Sequence, residues 1–172
     1  MSATQSAQVV ADSLRKAMLA EQEGAHFYQM AARATDDPQG KQVFERLARE
    51  EIEHLEFLKA QFKAVQQGGA PDANLKLGRP ATLTGDSPIF SDALKARIGQ
   101  AHYEMTALSV GAQLELSAER FYREAAAAAD DAVVRGFFEE LAEWESGHYH
   151  ALLAQQDSLK EDYWSQGGFA PF

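Results

Sequence analysis

Apolar residues recur at helical spacing in four runs along the chain. Leu14, Ala17, Ala25, Tyr28 and Ala32 share one stripe, and Phe44, Leu47, Leu58, Phe62 and Val65 follow the spacing of a coiled-coil seam. Leu108, Ala112, Tyr122 and Ala126 form a third stripe, and Phe138, Leu141 and Leu152 a fourth. The pattern predicts an all-α chain of four long helices. The first runs from a cap at Asp12 or Ser13 to about residue 34, and the second, after the turn TDDPQG, from about Lys41 to Val65. The third runs from a cap at Thr106 to about Ala129. The fourth leaves the turn at Asp130 and Asp131 and ends near Ala154. Short extra turns are expected over residues 91–98 and 157–164. Residues 67–90 hold three of the five prolines and four of the twelve glycines, so they read as a connection. The tail, residues 166–172, has no helical period, and its Phe169 and Phe172 are expected to dock on the bundle or across a dimer.

The halves on either side of the connection are copies. Glu21, Phe27, Tyr28, Ala31 and Ala32 recur 94 residues later as Glu115, Phe121, Tyr122, Ala125 and Ala126. Asp36 and Asp37 recur as Asp130 and Asp131. Phe44, Glu45, Leu47, Ala48, Glu51, His54 and Leu58 recur as Phe138, Glu139, Leu141, Ala142, Glu145, His148 and Leu152. A register kept through two helices and a turn defines a duplicated helical hairpin, with repeats over about 12–65 and 106–154 within a single domain spanning residues 1–172. Antiparallel neighbours need turns of roughly 2 to 8 residues. The connection is much longer, enough to cross the bundle, so the third helix is expected to run parallel to the second. The two hairpins would then be related by a two-fold axis.

Charge sits where core belongs. Glu51 and His54 fill the gap in the second stripe, Glu145 and His148 the gap in the fourth, and Glu21 and Glu115 fall on the first and third. Four inward carboxylates cannot be buried together unless protons or cations neutralise them. A lone Glu-x-x-His is a weak signal. Two at matched positions, each with an inward Glu from another helix, give the six side chains of a dinuclear carboxylate site in a four-helix bundle. Oxygen-rich ligation with one nitrogen per ion suits iron or manganese. Tyr28 and Tyr122, two turns beyond Glu21 and Glu115, are placed either to hold ligand carboxylates or to serve as plain core. Phe27 and Phe121 read as core. His26, His102 and His150 have no mate in the other half and read as solvated or capping residues, and Glu119, one turn after Glu115, reads as a surface charge ahead of an added carboxylate for one metal.

Composition narrows the chemistry. Sixteen Lys and Arg against 26 Asp and Glu leave a net charge of −10, which disfavours nucleic acid as a partner. With no cysteine in the chain, thiolate metal sites, disulfides and thiol nucleophiles drop out. The first residues lack a basic start and a long apolar run, and no stretch nears the ~18 apolar residues of a membrane span, so a soluble, cytoplasmic protein is expected.

The half-motifs EQEGAHFY with FERLAREEIEHLEFL, and ELSAERFY with FFEELAEWESGHYHALL, resemble the rubrerythrin branch of the ferritin-like superfamily over essentially the whole bundle. The resemblance implies a ferritin-like fold with two iron ions per chain, or manganese in their place. Glu51 and Glu145 would bridge, Glu21 and Glu115 would be terminal ligands, and His54 and His148 would give one nitrogen to each ion. It implies reduction of hydrogen peroxide or dioxygen in a homodimer or higher homo-oligomer. The sequence departs from the family twice. It has no rubredoxin domain, which implies a separate electron-donor protein, and Ala118 stands where rubrerythrins tend to carry an extra glutamate. Two rival readings use the same ligand pattern: a ferritin-type ferroxidase that stores iron, and a di-iron oxygenase with an organic substrate. The oxygenase would need an apolar channel, for which Ala17, Ala20, Gly111 and Ala112 are candidates.

Overall fold

The computed structural model describes residues 3–68, 70–77 and 89–166, with side chains from residue 8 onward. Most of the connection and the tail, with Phe169 and Phe172, lie outside the described residues. The four long helices are α1 (Ala3–Ala34), α2 (Pro38–Gly68), α4 (His102–Ala128) and α5 (Ala132–Gln166). A one-turn helix, α3 (Asp92–Lys95), and a 3-10 turn (Ile98–Gln100) precede α4, in the region where short turns were expected. No β-strand occurs among the described residues.

Helix ends follow local chemistry, which in places differs from the expected caps. Asp37 caps α2, its Oδ2 accepting from Gly40 N at 2.8 Å, with Pro38 at the first helical position. Its repeat mate Asp131 caps α5, accepting from Val133 N at 2.7 Å and Val134 N at 3.1 Å. Asp12 and Ser13 do not cap α1. The helix begins earlier, and the Asp12 carboxylate takes side-chain bonds from Gln8 and Arg15 one turn either way. Thr106 does not cap α4 either, because its hydroxyl donates back to His102 O at 2.8 Å inside the helix. The separate turn expected over residues 157–164 merges into α5. Its stripe continues through Leu152, Gln155 and Leu159, all buried, and Leu159 joins the cluster formed by Leu94 and Ile98 of the preceding short turns.

α1 packs on α2, α4 on α5, and α1 on α4. Direction follows from side-chain pairs: Tyr28 meets Glu115 while Tyr122 meets Glu21, so α1 and α4 are antiparallel. His54 faces Glu145 while His148 faces Glu50, so α2 and α5 are antiparallel too. α4 therefore runs parallel to α2, as the long connection required. Repeat mates also anchor that connection: Gln61 bonds the backbone of Asp72 at 2.9 and 3.0 Å, and Gln155 accepts from Ile89 N. At its far end Ser91 N and Oγ donate to the Asp37 carboxylate, tying the start of α3 to the start of α2.

Every stripe residue named above is buried except Phe62, which is half-buried. The core is nonetheless divided. One apolar cluster gathers Tyr28, Phe44, Leu47, Leu108 and Leu152 with Ile89 and Phe90, and a second gathers Leu14, Phe57, Leu58, Tyr122, Phe138 and Leu141. A polar layer separates them.

Two glycines make the packing testable. A Cβ on Gly40 would stand 2.4 Å from the Phe90 ring, whereas one on Gly136 meets nothing within 4 Å. Overpacking costs roughly 1–3 kcal/mol and removal of an open helical glycine gains about 0.5–1 kcal/mol. Gly40→Ala should therefore lower the melting temperature and Gly136→Ala raise it slightly. Equal effects would contradict the seating of Phe90 on α2.

Candidate metal centre

The polar layer is built at mid-height from all four long helices. α1 contributes Glu21, α2 Glu51 and His54, α4 Glu115, and α5 Glu145 and His148. Each is at most 4% exposed. The six residues form two overlapping groups: Glu21, Glu51, His54 and Glu145, and Glu51, Glu115, Glu145 and His148. Within each group one ligand atom from every residue lies within 4.8 Å of the others. Glu51 and Glu145 belong to both groups, which is the placement expected of bridging carboxylates. All six side chains singled out in the sequence are thus brought together.

Both tyrosines join them, across the bundle rather than along their own helix. The Tyr28 hydroxyl donates to Glu115 and the Tyr122 hydroxyl to Glu21. Each ring stacks on a phenylalanine, Tyr28 on Phe44 at 6.3 Å and Tyr122 on Phe138 at 6.0 Å, so the two-fold relation extends into the aromatic packing. Phe27 and Phe121 are half-buried against the clusters rather than fully inside them. His26, His102 and His150 are exposed, and Glu119 pairs with Arg123 at 2.8 Å. All four stand outside the two groups, although Glu119, with 15% of its side chain exposed, is more covered than the expected surface charge.

The structure adds two residues. Glu50, only 5% exposed, accepts a hydrogen bond from His148 Nε2 at 2.8 Å. Trp144, equally buried, sets its ring against His54 at 4.7 Å and 89°. A signal for Glu50 existed, since it lies with Leu47, His54, Phe57 and Gln61 on the wide buried face of α2. A stripe drawn at seam width omits it.

Electrostatics show how the layer is held. Burial pushes Glu115 up to about 8, with the neighbouring Glu145 charge adding to it, and burial with repulsion from Glu145 and Glu115 holds Glu51 well above its usual range. Burial opposes charge on His54, but contacts with Glu145 and Glu21 outweigh it and hold its imidazole up at about 10. His148 is raised for the same reasons by Glu115, Glu145 and Glu50. Burial also works against charge on Glu145, but contacts with Glu115, His148 and His54 keep it well below the usual carboxylate range. Protons on some groups compensate charge on others. Even so, Glu51 Oε1, both Glu145 oxygens and His148 Nδ1 are buried without a hydrogen-bond partner among the described residues. These orphaned atoms belong to the two shared carboxylates and an inward imidazole. A pair of divalent ions fits that donor set, with four carboxylates to balance two dications.

A cavity of about 150 Å³ opens onto Glu21, Glu51, Glu115 and Tyr28, with Ala20, Gly24, Leu114, Ala118 and Phe121 in its walls. A Cβ on Gly24 would stand 3.1 Å from Glu51 Oε2, so the glycine leaves that carboxylate open to the cavity. Of the small residues expected to make room, Ala20 lines the space. Ala17 and Ala112 are packed into the two clusters, and Gly111 seats the Tyr28 hydroxyl and Leu152.

Fold and site together define a helical bundle with buried carboxylate and histidine groups that could hold metal. The rubrerythrin family model matches residues 12–155, and the chain belongs to that family, a ferritin-like di-iron family. Comparison with curated proteins and with solved structures gives no significant match. No helix among the described residues is long and apolar enough to cross a membrane.

The titrations set the pH dependence of the metal-free protein. Glu115 moves from 4.5 to about 8 on folding, so its ionisation opposes folding, and that penalty fades as pH falls through this window. His54 moves from 6.5 to about 10, so its contribution is complete below 6.5 and lost as pH rises to 10. Both signs agree. The metal-free melting temperature should climb on acidification from about 10 towards 4.5, and Glu115→Gln should flatten the lower part of the climb. A melting temperature that falls steadily over that range would contradict the burial described.

Proposed function

We propose that the protein is a di-iron oxidoreductase that reduces hydrogen peroxide, or dioxygen, at two ferrous ions held between α1, α2, α4 and α5. The observation that carries this reading is the sharing of Glu51 and Glu145 by two Glu/His groups within one buried layer. Glu21, Glu51, His54 and Glu145 would hold one ion, and Glu51, Glu115, Glu145 and His148 the other. Two ferrous ions so placed would supply both electrons for a single small oxidant. With two protons, peroxide then leaves as two waters.

The chain's own residues do the rest. Tyr28 and Tyr122 hold Glu115 and Glu21 in place. Burial, together with the Glu115 charge, keeps the Tyr28 proton on its oxygen, well above the ordinary phenol range. Tyr28 also lines the cavity, beside the carboxylate that it holds. The cavity gives peroxide or dioxygen a path to Glu21, Glu51 and Glu115. Electrons would return from a separate donor protein. A homodimer or higher homo-oligomer in the cytoplasm completes the proposal.

Anaerobic reconstitution followed by stopped-flow mixing tests it. Two ferrous ions per chain should be oxidised by one equivalent of peroxide, rapidly and faster than by dioxygen. Tyr28→Phe, which frees Glu115, should weaken iron binding by roughly 10-fold or more. Glu51→Ala or Glu145→Ala should lose more iron than Glu21→Ala or Glu115→Ala. A 24-subunit assembly that mineralises iron would replace the proposal with storage, and oxidation coupled only to an organic substrate would replace it with oxygenation.

A further inference from the structure

The six Glu and His residues of the layer and its two tyrosines match residue for residue between the halves, but the positions behind the histidines do not. Residue 50 of the first repeat corresponds, at the offset of 94, to residue 144 of the second, and these are Glu50 and Trp144. Because α2 and α5 are antiparallel neighbours, each of the two sits behind the other helix's histidine. His148 Nε2 donates to Glu50 Oε2 at 2.8 Å, in a contact where both side chains are nearly fully buried. His54 has Trp144 in the equivalent place, packed edge to face at 4.7 Å, and its Nε2 is buried with no hydrogen-bond partner among the described residues.

The consequence follows from imidazole chemistry. In both residues Nδ1 is the nitrogen that faces the carboxylates, within 3.2 Å of Glu21 and Glu145 for His54, and within 3.8 Å of Glu51, Glu115 and Glu145 for His148. A nitrogen that binds a cation must offer a lone pair, which puts the proton on Nε2. Glu50 accepts that proton's hydrogen bond, fixes the ring and makes Nδ1 more basic, as carboxylates behind metal-bound histidines do. Trp144 offers an indole N–H donor and an apolar ring, and no acceptor. Charge acts in the same direction. Four carboxylates balance two dications, and Glu50 adds a fifth negative group on the His148 side alone.

We propose, on the di-iron reading above, that the two metal positions are unequal by construction: Glu50 makes the Glu51, Glu115, Glu145 and His148 position the tighter one, filled first and emptied last, while the Trp144-backed His54 position fills second. Glu50 is a positioning residue acting through His148. An ion pair entering in a set order gives the centre one retained metal and one exchangeable metal, although its direct ligand sets are alike.

The test is anaerobic titration of the metal-free full-length protein with Co(II), followed by calorimetry and by the cobalt absorption bands, with no turnover needed. Wild type should bind two ions in two resolved steps. Glu50→Gln should weaken the tighter step by roughly 10- to 100-fold and leave the weaker step in place. His54→Ala should abolish the weaker step and His148→Ala the tighter one, which assigns the steps even if Glu50→Gln folds poorly. Trp144→Phe, which supplies no acceptor, should leave the tighter step unchanged. Two equal steps in wild type, a Glu50→Gln effect on both steps or neither, or loss of the tighter step in His54→Ala would overturn the inequality while leaving a two-metal site standing. No cobalt uptake at all would overturn the inference and the di-iron reading together.

Discussion

Five glutamates and two histidines occupy a buried layer at mid-height in the bundle, and the rest of the structure answers to the cost of putting them there. Burying an isolated carboxylate is prohibitive, and burying several side by side adds repulsion to desolvation. The fold places its apolar residues on both sides of the layer. One cluster centres on Tyr28 and Phe44, the other on Tyr122 and Phe138. Each long helix needs several turns beyond the layer in both directions to reach them, which is why a site of so few residues calls for helices of 27 to 35 residues. The metal-free layer is held by protons and crossed tyrosine bonds, an arrangement that divalent ions can take over.

Convergence of the ligands depends on chain direction, and chain direction depends on the connection. A short turn after α2 would have made α4 antiparallel to it and taken Glu115 away from Tyr28. The long connection instead lets α4 run parallel to α2, and its described ends are tied down by Gln61, by Gln155 and by the Asp37–Ser91 contact. Gln61 and Gln155 are repeat mates doing the same job at opposite ends. The duplication therefore supplies half the ligands twice and also the anchors that hold the halves in register. Within that symmetry Glu50 and Trp144 are a place where the copies diverge, directly behind the histidines.

Much of this was legible in the chain. The stripes marked the buried faces, and the interruptions in them marked the six inward residues, because a charge set on an apolar stripe is carried into the core with its neighbours. Parallel α2 and α4 followed from loop length alone. What the chain concealed has physical reasons. Glu50 and Trp144 carry no repeat signal, because a duplication shows through mates that are identical and these two differ. Helix ends moved because Asp12 and Thr106, plausible caps by residue type, use their oxygens inside the helix. α5 outran its expected end because Leu159 finds cover from Leu94 and Ile98, elements too short to weigh heavily in a periodicity. The crossing of the tyrosines to opposite helices is a tertiary fact with no local signature.

The central claim is that the buried layer is one dinuclear site shared through Glu51 and Glu145. Anomalous diffraction at the iron edge, from crystals grown anaerobically with ferrous ion, tests it most directly. Two peaks per chain are predicted, roughly 3.5–4 Å apart, one beside His54 and one beside His148, with the carboxylates of Glu51 and Glu145 reaching both. Iron found only at exposed acidic residues, or a single peak within the layer with Glu51 and Glu145 bonded to protein groups alone, would contradict the account.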